Sequence, residues 1–131
     1  MKTRSIRINR QNFALLFNFA ALAAMEEEIE GFELTKIVEF VKGTKYLPRL
    51  IEILAREGEK AEGRALDVDA EWFAAHMSPN FKRVMDYQLA VNNALADGLL
   101  METEDGEETE VDEVLEEVKK KEKTGASPSG S

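Results

Sequence analysis

The chain opens with two short segments whose hydrophobic pattern is typical of β-strands. In Ser5–Asn9 the two isoleucines alternate with polar residues, which is the period-two pattern of a strand with one buried face. A polar connection, Asn9–Gln11, follows, and in the next segment Phe13, Leu15 and Phe17 share one face. The pattern predicts an N-terminal β-hairpin, which is marginally stable alone and has to pack on helices or pair with another chain.

Apolar residues then recur every three or four positions, which predicts helices as far as residue 100. Asn18 is the expected N-cap of the first helix, which should bury Phe19, Leu22 and Met25 and end at Gly31. The second helix should begin with Thr35 as N-cap and stop at Gly43, and the third should have Pro48 in its first turn. Asp69 is the expected N-cap of the fourth helix, Ala70–Met77, and in the fifth Ser78 is the expected N-cap and Pro79 the first residue. The polar segment Glu57–Arg64 is predicted to be a loop.

The last helix has the longest apolar pattern, which comprises Phe81, Val84, Met85, Leu89, Val91, Leu95 and Leu99. Each helix needs its apolar stripe covered by the others. We therefore predict a mainly α fold, in which a small N-terminal β-hairpin packs on a compact bundle of about five helices within residues 1–101. Gln11–Met25 follows basic residues as an export signal would, but at 15 residues it is shorter than the ~20 that span a bilayer, so we expect buried structure there.

The composition changes at residue 102. Residues 102–131 hold 11 acidic residues and four lysines, a charge of −7, whereas the other 101 residues carry only −2. A thin apolar stripe, made by Val111, Val114, Leu115 and Val118, predicts a marginal helix that docking would stabilise. We expect 102–131 to be an acidic, largely flexible tail.

Charge and residue usage exclude several function classes. The net charge of −9 argues against binding nucleic acid through its phosphates. The chain has no cysteine and one histidine, so a thiolate zinc site, a histidine metal cage and cysteine catalysis are not expected. Asp67, Asp69 and Glu71 lack the spacing of a calcium loop, and His76 has no partner acid placed for it. We therefore expect no metal, no cofactor and no enzymatic activity.

One segment, FALLFNFAALAAMEEEIEGFELTKIVEFV at residues 13–41, has a distinctive order of features. Phe17-Asn18-Phe19 is followed by Leu22, then by Met25 and a run of glutamates, and a second amphipathic helix comes next. With the hairpin before it and a charged tail after it, the chain resembles the tail assembly chaperones of long-tailed bacteriophages over residues 4–100. The last predicted helix, from Ser78 to Leu100, has no motif that matches the family.

The resemblance implies a non-catalytic role. Such chaperones coat the hydrophobic helical tape measure protein, keep it soluble and recruit tail tube protein subunits. They act in the host cytoplasm and are absent from the mature virion. The family commonly also makes a longer product by programmed frameshift, which the Lys119–Lys121 run would suit. No nucleic acid or membrane partner is implied.

A chaperone of this kind needs apolar surface for its client and like charge for solubility. The partner-binding candidates are large apolar residues, namely Phe13, Leu15, Phe17, Phe32, Phe40, Tyr46, Trp72, Phe73 and Phe81. Those in the hairpin also suggest self-association through a strand edge, although packing in the core explains each of the nine as well. The alternatives left open are a structural tail component, such as a tail terminator or connector, and a small helical adaptor or regulator.

Overall fold

The computed structural model describes residues 3–101 and confirms a mainly helical fold with an N-terminal hairpin. The elements are β1 Arg4–Ile8, β2 Gln11–Leu15, α1 Phe19–Glu28, α2 Ile37–Lys42, α3 Leu47–Ala61, α4 Ala70–His76 and α5 Phe81–Met101, with 3₁₀ turns at Leu34–Lys36 and Thr44–Tyr46. The chain divides into two compact units, Met1–Ala96 and Asp97–Ser131. The predicted domain boundary at 101/102 stays a prediction, and the predicted tail helix lies outside the described residues.

The hairpin is antiparallel, with Ile6 opposite Phe13 and Ile8 opposite Gln11. Its connection is a two-residue turn, because Gln11 already belongs to β2. The turn residues Asn9 and Arg10 both have positive φ, 54° and 66°, as a type I′ turn requires. Ile6 and Ile8 are buried while their neighbours are exposed, which confirms the alternation in the sequence.

Helix α3 is the centre of the fold. Every residue from Leu50 to Ala55 is buried, so this part of the helix is covered on all sides. It packs against β2, α1 and α4. Pro48 lies in its first turn, as predicted, where the missing N–H has no helical partner to lose.

The predicted loop at Glu57–Arg64 is wrong in its first half, because α3 continues to Ala61. Gly58 is buried within the helix, and a Cβ built on it would lie 2.1 Å from the carbonyl oxygen of Ala14 in β2. The next residue, Glu59, accepts a hydrogen bond from the Ala14 N–H at 2.7 Å. Gly58 and Glu59 therefore hold the strand against the helix and do not begin a loop.

The strand runs on along α3 after β2 ends. The Leu16 N–H donates to the carbonyl oxygen of Leu54 at 3.0 Å. Together with the bond from Ala14 to Glu59, this contact pairs two N–H groups on the side of the hairpin that faces away from β1. One edge of the hairpin is thus closed by a helix, and residues 13–17 are buried on both faces.

Two of the predicted N-caps are confirmed. The Asn18 side chain accepts a hydrogen bond from the Ala21 N–H at 2.9 Å at the start of α1. The Asp69 carboxylate does the same for the Trp72 N–H at 2.9 Å at the start of α4. Both residues have extended backbone angles, as N-caps do.

The other two predicted caps are wrong. Thr35 lies inside a 3₁₀ turn, and α2 begins after Lys36 without a side-chain cap. At α5 the capping side chain is Asn80, which accepts hydrogen bonds from the Lys82 and Arg83 N–H groups, while Ser78 binds the Asn80 N–H. Asn caps at least as well as Ser, so the helix starts two residues later than expected.

Candidate binding surface

Helix α5 exposes a stripe of large apolar side chains. Phe81 is 77% exposed, Met85 52% and Leu89 59%. They are four residues apart, so they lie in one row on the helix, about 12 Å from first to last at 1.5 Å per residue. We call Phe81, Met85 and Leu89 the α5 stripe.

The stripe is exposed because α5 has more apolar surface than the rest of the first unit covers. Among the α5 side chains whose burial is described, those of Tyr87, Val91, Ala94 and Leu95 are buried. At about 100° per residue, these four occupy one arc of the helix and the stripe lies next to it. The apolar residues therefore span more than half of the circumference, and only one part of that span is buried.

Polar contacts fix which face of α5 turns inward. The Gln88 side-chain amide donates to the carbonyl oxygens of Val41 at 3.2 Å and Lys42 at 3.4 Å, at the end of α2. The Tyr87 hydroxyl accepts a hydrogen bond from the Ser78 N–H at 2.9 Å. Because Gln88 lies on the helix between the buried arc and the stripe, these bonds hold the stripe outward.

Of the nine predicted candidates, five are in the core. These five, each at most 7% exposed, are Phe13, Leu15, Phe17, Phe32 and Phe73. Phe13 makes edge contacts with Phe73 and Trp72, at ring distances of 5.1 and 5.9 Å. Side chains buried this deeply have almost no surface outside the chain, so these five belong to the core, and the ring contacts of Phe13 hold the hairpin on α4.

Three further candidates are half-buried, and the structure places them in two groups. Phe40 lies between Phe32, at a ring distance of 5.1 Å, and Tyr46, at 4.8 Å. Trp72 is stacked on His76 at 4.2 Å. Only Phe81 among the nine is largely exposed, and it begins the α5 stripe.

Sequence reasoning missed Met85 and Leu89 as surface residues and misplaced Phe19. Phe19 was expected on the buried face of α1, yet it is 80% exposed, and the buried residues of that helix are Ala21 and Met25. The Asn18 cap, which also donates to Glu57 at 3.2 Å, fixes the first turn with Phe19 outward. For α5 the signal was available, because a helical wheel shows more apolar positions than one buried face accommodates.

Paired charges join α1 to α3. Arg56 on α3 bonds Glu28 at 2.9 Å and Glu52 at 3.0 Å, and Arg49 bonds Glu52 at 2.7 Å. The hydrogen bond from Arg56 holds the pKa of Glu28 below its ordinary value of 4.5. Glu28 is therefore committed to an ion pair between α1 and α3, and Glu52 to ion pairs within α3.

The residues singled out for metal or acid–base chemistry have structural surroundings. His76 Nδ1 lies 2.8 Å from the Trp72 carbonyl oxygen, and the Asp69 carboxylate caps α4. Within residues 3–101 no three His, Asp or Glu side chains are grouped so as to hold a metal ion. In the same range no helix is long and apolar enough to cross a membrane.

Comparisons with known proteins do not add a relative. Protein-family models, curated proteins and solved structures give no match. The feature with a definite shape for a partner is the α5 stripe, whose spacing suits another helix.

Proposed function

We propose that this chain is a phage tail assembly chaperone that binds helical segments of the tape measure protein through the α5 stripe. The observation that carries the proposal is the row formed by Phe81, Met85 and Leu89, each more than half exposed. An amphipathic helix presents apolar side chains at the same three- and four-residue spacing, so two such rows interdigitate. The resemblance of residues 4–100 to this family, described above, supplies the identity of the client.

The small area of the α5 stripe is consistent with several copies of the chain each binding one client weakly. Three side chains bury far less than the roughly 800 Å² per partner that a stable complex needs. A single copy would therefore bind briefly, and a long client would be kept soluble by many copies along its length. Weak binding also lets the copies leave when tail tube protein subunits polymerise around the client.

The net charge of the chain is also consistent with the role of a chaperone. At −9, copies of the chain repel one another, which keeps a complex dissolved while its apolar surface is in use. The charge also disfavours phosphate-rich partners. In this proposal the chain acts in the host cytoplasm, catalyses no reaction and is absent from the finished particle.

The test is co-expression of the full chain with a helical fragment of the tape measure protein of the same phage. Wild type should keep the fragment soluble and co-purify with it. The triple variant Phe81→Ser, Met85→Ser, Leu89→Ser should lose both effects while remaining folded, because these side chains are exposed. The matched control is Phe19→Ser, which removes an equally exposed aromatic from α1 and should behave as wild type.

Two results would overturn the proposal. If the fragment stays insoluble with wild type, the client is wrong, and if the triple variant protects it as well as wild type does, the surface is wrong. Finding the chain in purified mature particles would favour a structural tail component. Binding only to bacterial proteins would favour an adaptor.

A further inference from the structure

The hairpin has a second edge, and this one is open. Within the described residues β1 pairs only with β2. Ile8 and Gln11 flank the two-residue turn and so exchange hydrogen bonds with each other, as does every second pair after them. By that alternation, the backbone N–H and C=O groups of Ser5 and Arg7 point away from β2, towards solvent.

The strand at the open edge carries positive charge, although the protein as a whole has a negative net charge. From residue 3 to residue 25 the chain has no acidic residue and three arginines, although its net charge is −9. Arg7 and Arg10 are exposed, and within residues 3–101 neither forms an ion pair; Arg7 donates a hydrogen bond to Asn12 at 3.3 Å. One carboxylate borders the beginning of the edge, where Glu62 accepts a hydrogen bond from Thr3 at 2.8 Å.

We infer that the open edge of β1 binds an acidic segment of a partner protein in extended conformation, as a third strand. Strand addition satisfies the outward backbone groups of Ser5 and Arg7. Acidic side chains on the added strand, two residues apart, come beside Arg7 on the solvent face. This site does not include the α5 stripe. A failure of the proposed function would therefore leave this inference unaffected, and the reverse also holds.

Charge favours an acidic peptide over a second copy of the chain or a nucleic acid as the partner that binds this edge. Pairing two copies through β1 brings their arginines together, and like charges on neighbouring strands are unfavourable. The overall charge repels nucleic acid. An acidic extended peptide is attracted by the arginines and hydrogen-bonded by the edge, so it matches both features.

The first experiment measures fluorescence anisotropy of labelled seven-residue peptides titrated with the full-length chain. The probe is an alternating Glu-Val peptide, which should bind, and amide NMR signals of Ser5 and Arg7 should shift with added protection from exchange. The same peptide methylated on alternate backbone nitrogens should bind at least tenfold more weakly, because it cannot form the strand hydrogen bonds. A Lys-Val peptide should not bind.

The second experiment reverses charge on the protein. Arg7→Glu with Arg10→Glu should weaken binding of the Glu-Val peptide about tenfold, as two exposed charge pairs are lost. Arg83→Glu on α5 is the control, since it reverses one arginine at an exposed site far along the chain, and it should retain nearly all of the affinity.

Three outcomes contradict the inference. Equal binding of the methylated peptide would mean that charge alone holds it and no strand is added. Binding that is unchanged by the double reversal, or that matches Arg83→Glu, would place the peptide elsewhere. Tighter binding of a single-stranded oligonucleotide that competes with the peptide would make this edge a nucleic-acid site instead.

Discussion

Arg10 occupies a backbone conformation that favours glycine. Its φ is 66°, and that of Asn9 is 54°, in the two-residue turn between the strands. Such turns prefer Asn followed by Gly, because a Cβ in the left-handed region meets the neighbouring carbonyl. Asn9 fits this preference and Arg10 does not. The turn was recognisable as polar from the sequence, but its two-residue length was hidden by the missing glycine.

Arg10→Gly is therefore expected to stabilise the chain by about 1 kcal/mol, an increase in Tm of several degrees for a domain of this size. The measurement is thermal or urea unfolding followed by circular dichroism. Arg10→Ala removes the same charge but keeps the Cβ, so it should give no comparable gain. Equal stabilisation by both variants would attribute the effect to charge and would contradict the strain argument.

At the scale of elements, the decisive contact is between β2 and α3. The strand lies so close to the helix that Ala14 occupies the space a side chain at residue 58 would need. Helix propensity alone predicts that Gly→Ala within a helix gains about 1 kcal/mol. Here the neighbour is backbone on a strand that is also hydrogen-bonded to Glu59 and Leu54, so it has little freedom to move.

Gly58→Ala is accordingly expected to destabilise the chain by about 3 kcal/mol or more, the opposite sign to the propensity effect. Equilibrium urea unfolding measures it. Ala61→Gly, at the exposed end of α3, is the matched control and should lose only about 1 kcal/mol. A Gly58→Ala variant as stable as wild type would show that the strand and helix are farther apart than described.

The sequence predicts elements well where the signal is local. The alternation around Ile6 and the caps at Asn18 and Asp69 depend on residues within a few positions, and all are confirmed. The end of α3 was missed because the reason for Gly58 is Ala14, which lies 44 positions earlier in the chain. A segment with glycines and consecutive charged residues, such as Glu57–Arg64, is typical of a loop. Only the tertiary contact with Ala14 shows why its first residues form a helix that packs against a strand.

The candidate surface was predicted only in part, for a related reason. Whether a residue is apolar is known from the sequence itself, whereas its exposure depends on which elements cover its side chain in the fold. Phe13 and Phe81 are the same residue type, yet one packs against α4 and the other faces solvent. Phe81 was therefore found as a candidate, but Met85 and Leu89 needed the orientation of α5, which Gln88 and Tyr87 fix.

At the scale of the whole molecule, carboxylates paired with arginines make stability depend on pH. Hydrogen bonds from Arg64 at 2.7 Å and from the Ala14 N–H hold the pKa of Glu59 below its ordinary value of 4.5, against the burial that would raise it. The pKa of Glu28 is lowered by Arg56 in the same sense. A lowered pKa means that the stabilisation is complete above about pH 5 and is lost as the pH falls below 4.5.

Glu59→Gln should cost about 2 kcal/mol at pH 7, because the charge-assisted bond to Arg64 is lost at a buried position. Unfolding followed from pH 7 to pH 3 should show wild type losing stability more steeply than the variant, so that the difference between them narrows in acid. Glu26→Gln removes an exposed carboxylate from α1 and should follow wild type. A difference that stays constant with pH would mean that the amide perturbs packing instead of charge.

The bond from Ala14 to Glu59 also has a consequence during synthesis on the ribosome. Residue 14 leaves the exit tunnel 45 residues ahead of residue 59, so at 5–20 residues per second residue 59 follows it roughly 2 to 9 seconds later. Throughout that time the apolar run that ends at Phe17 is outside the ribosome without the helix that will cover it. A nascent chain of this protein therefore exposes this apolar run for the first seconds after it emerges.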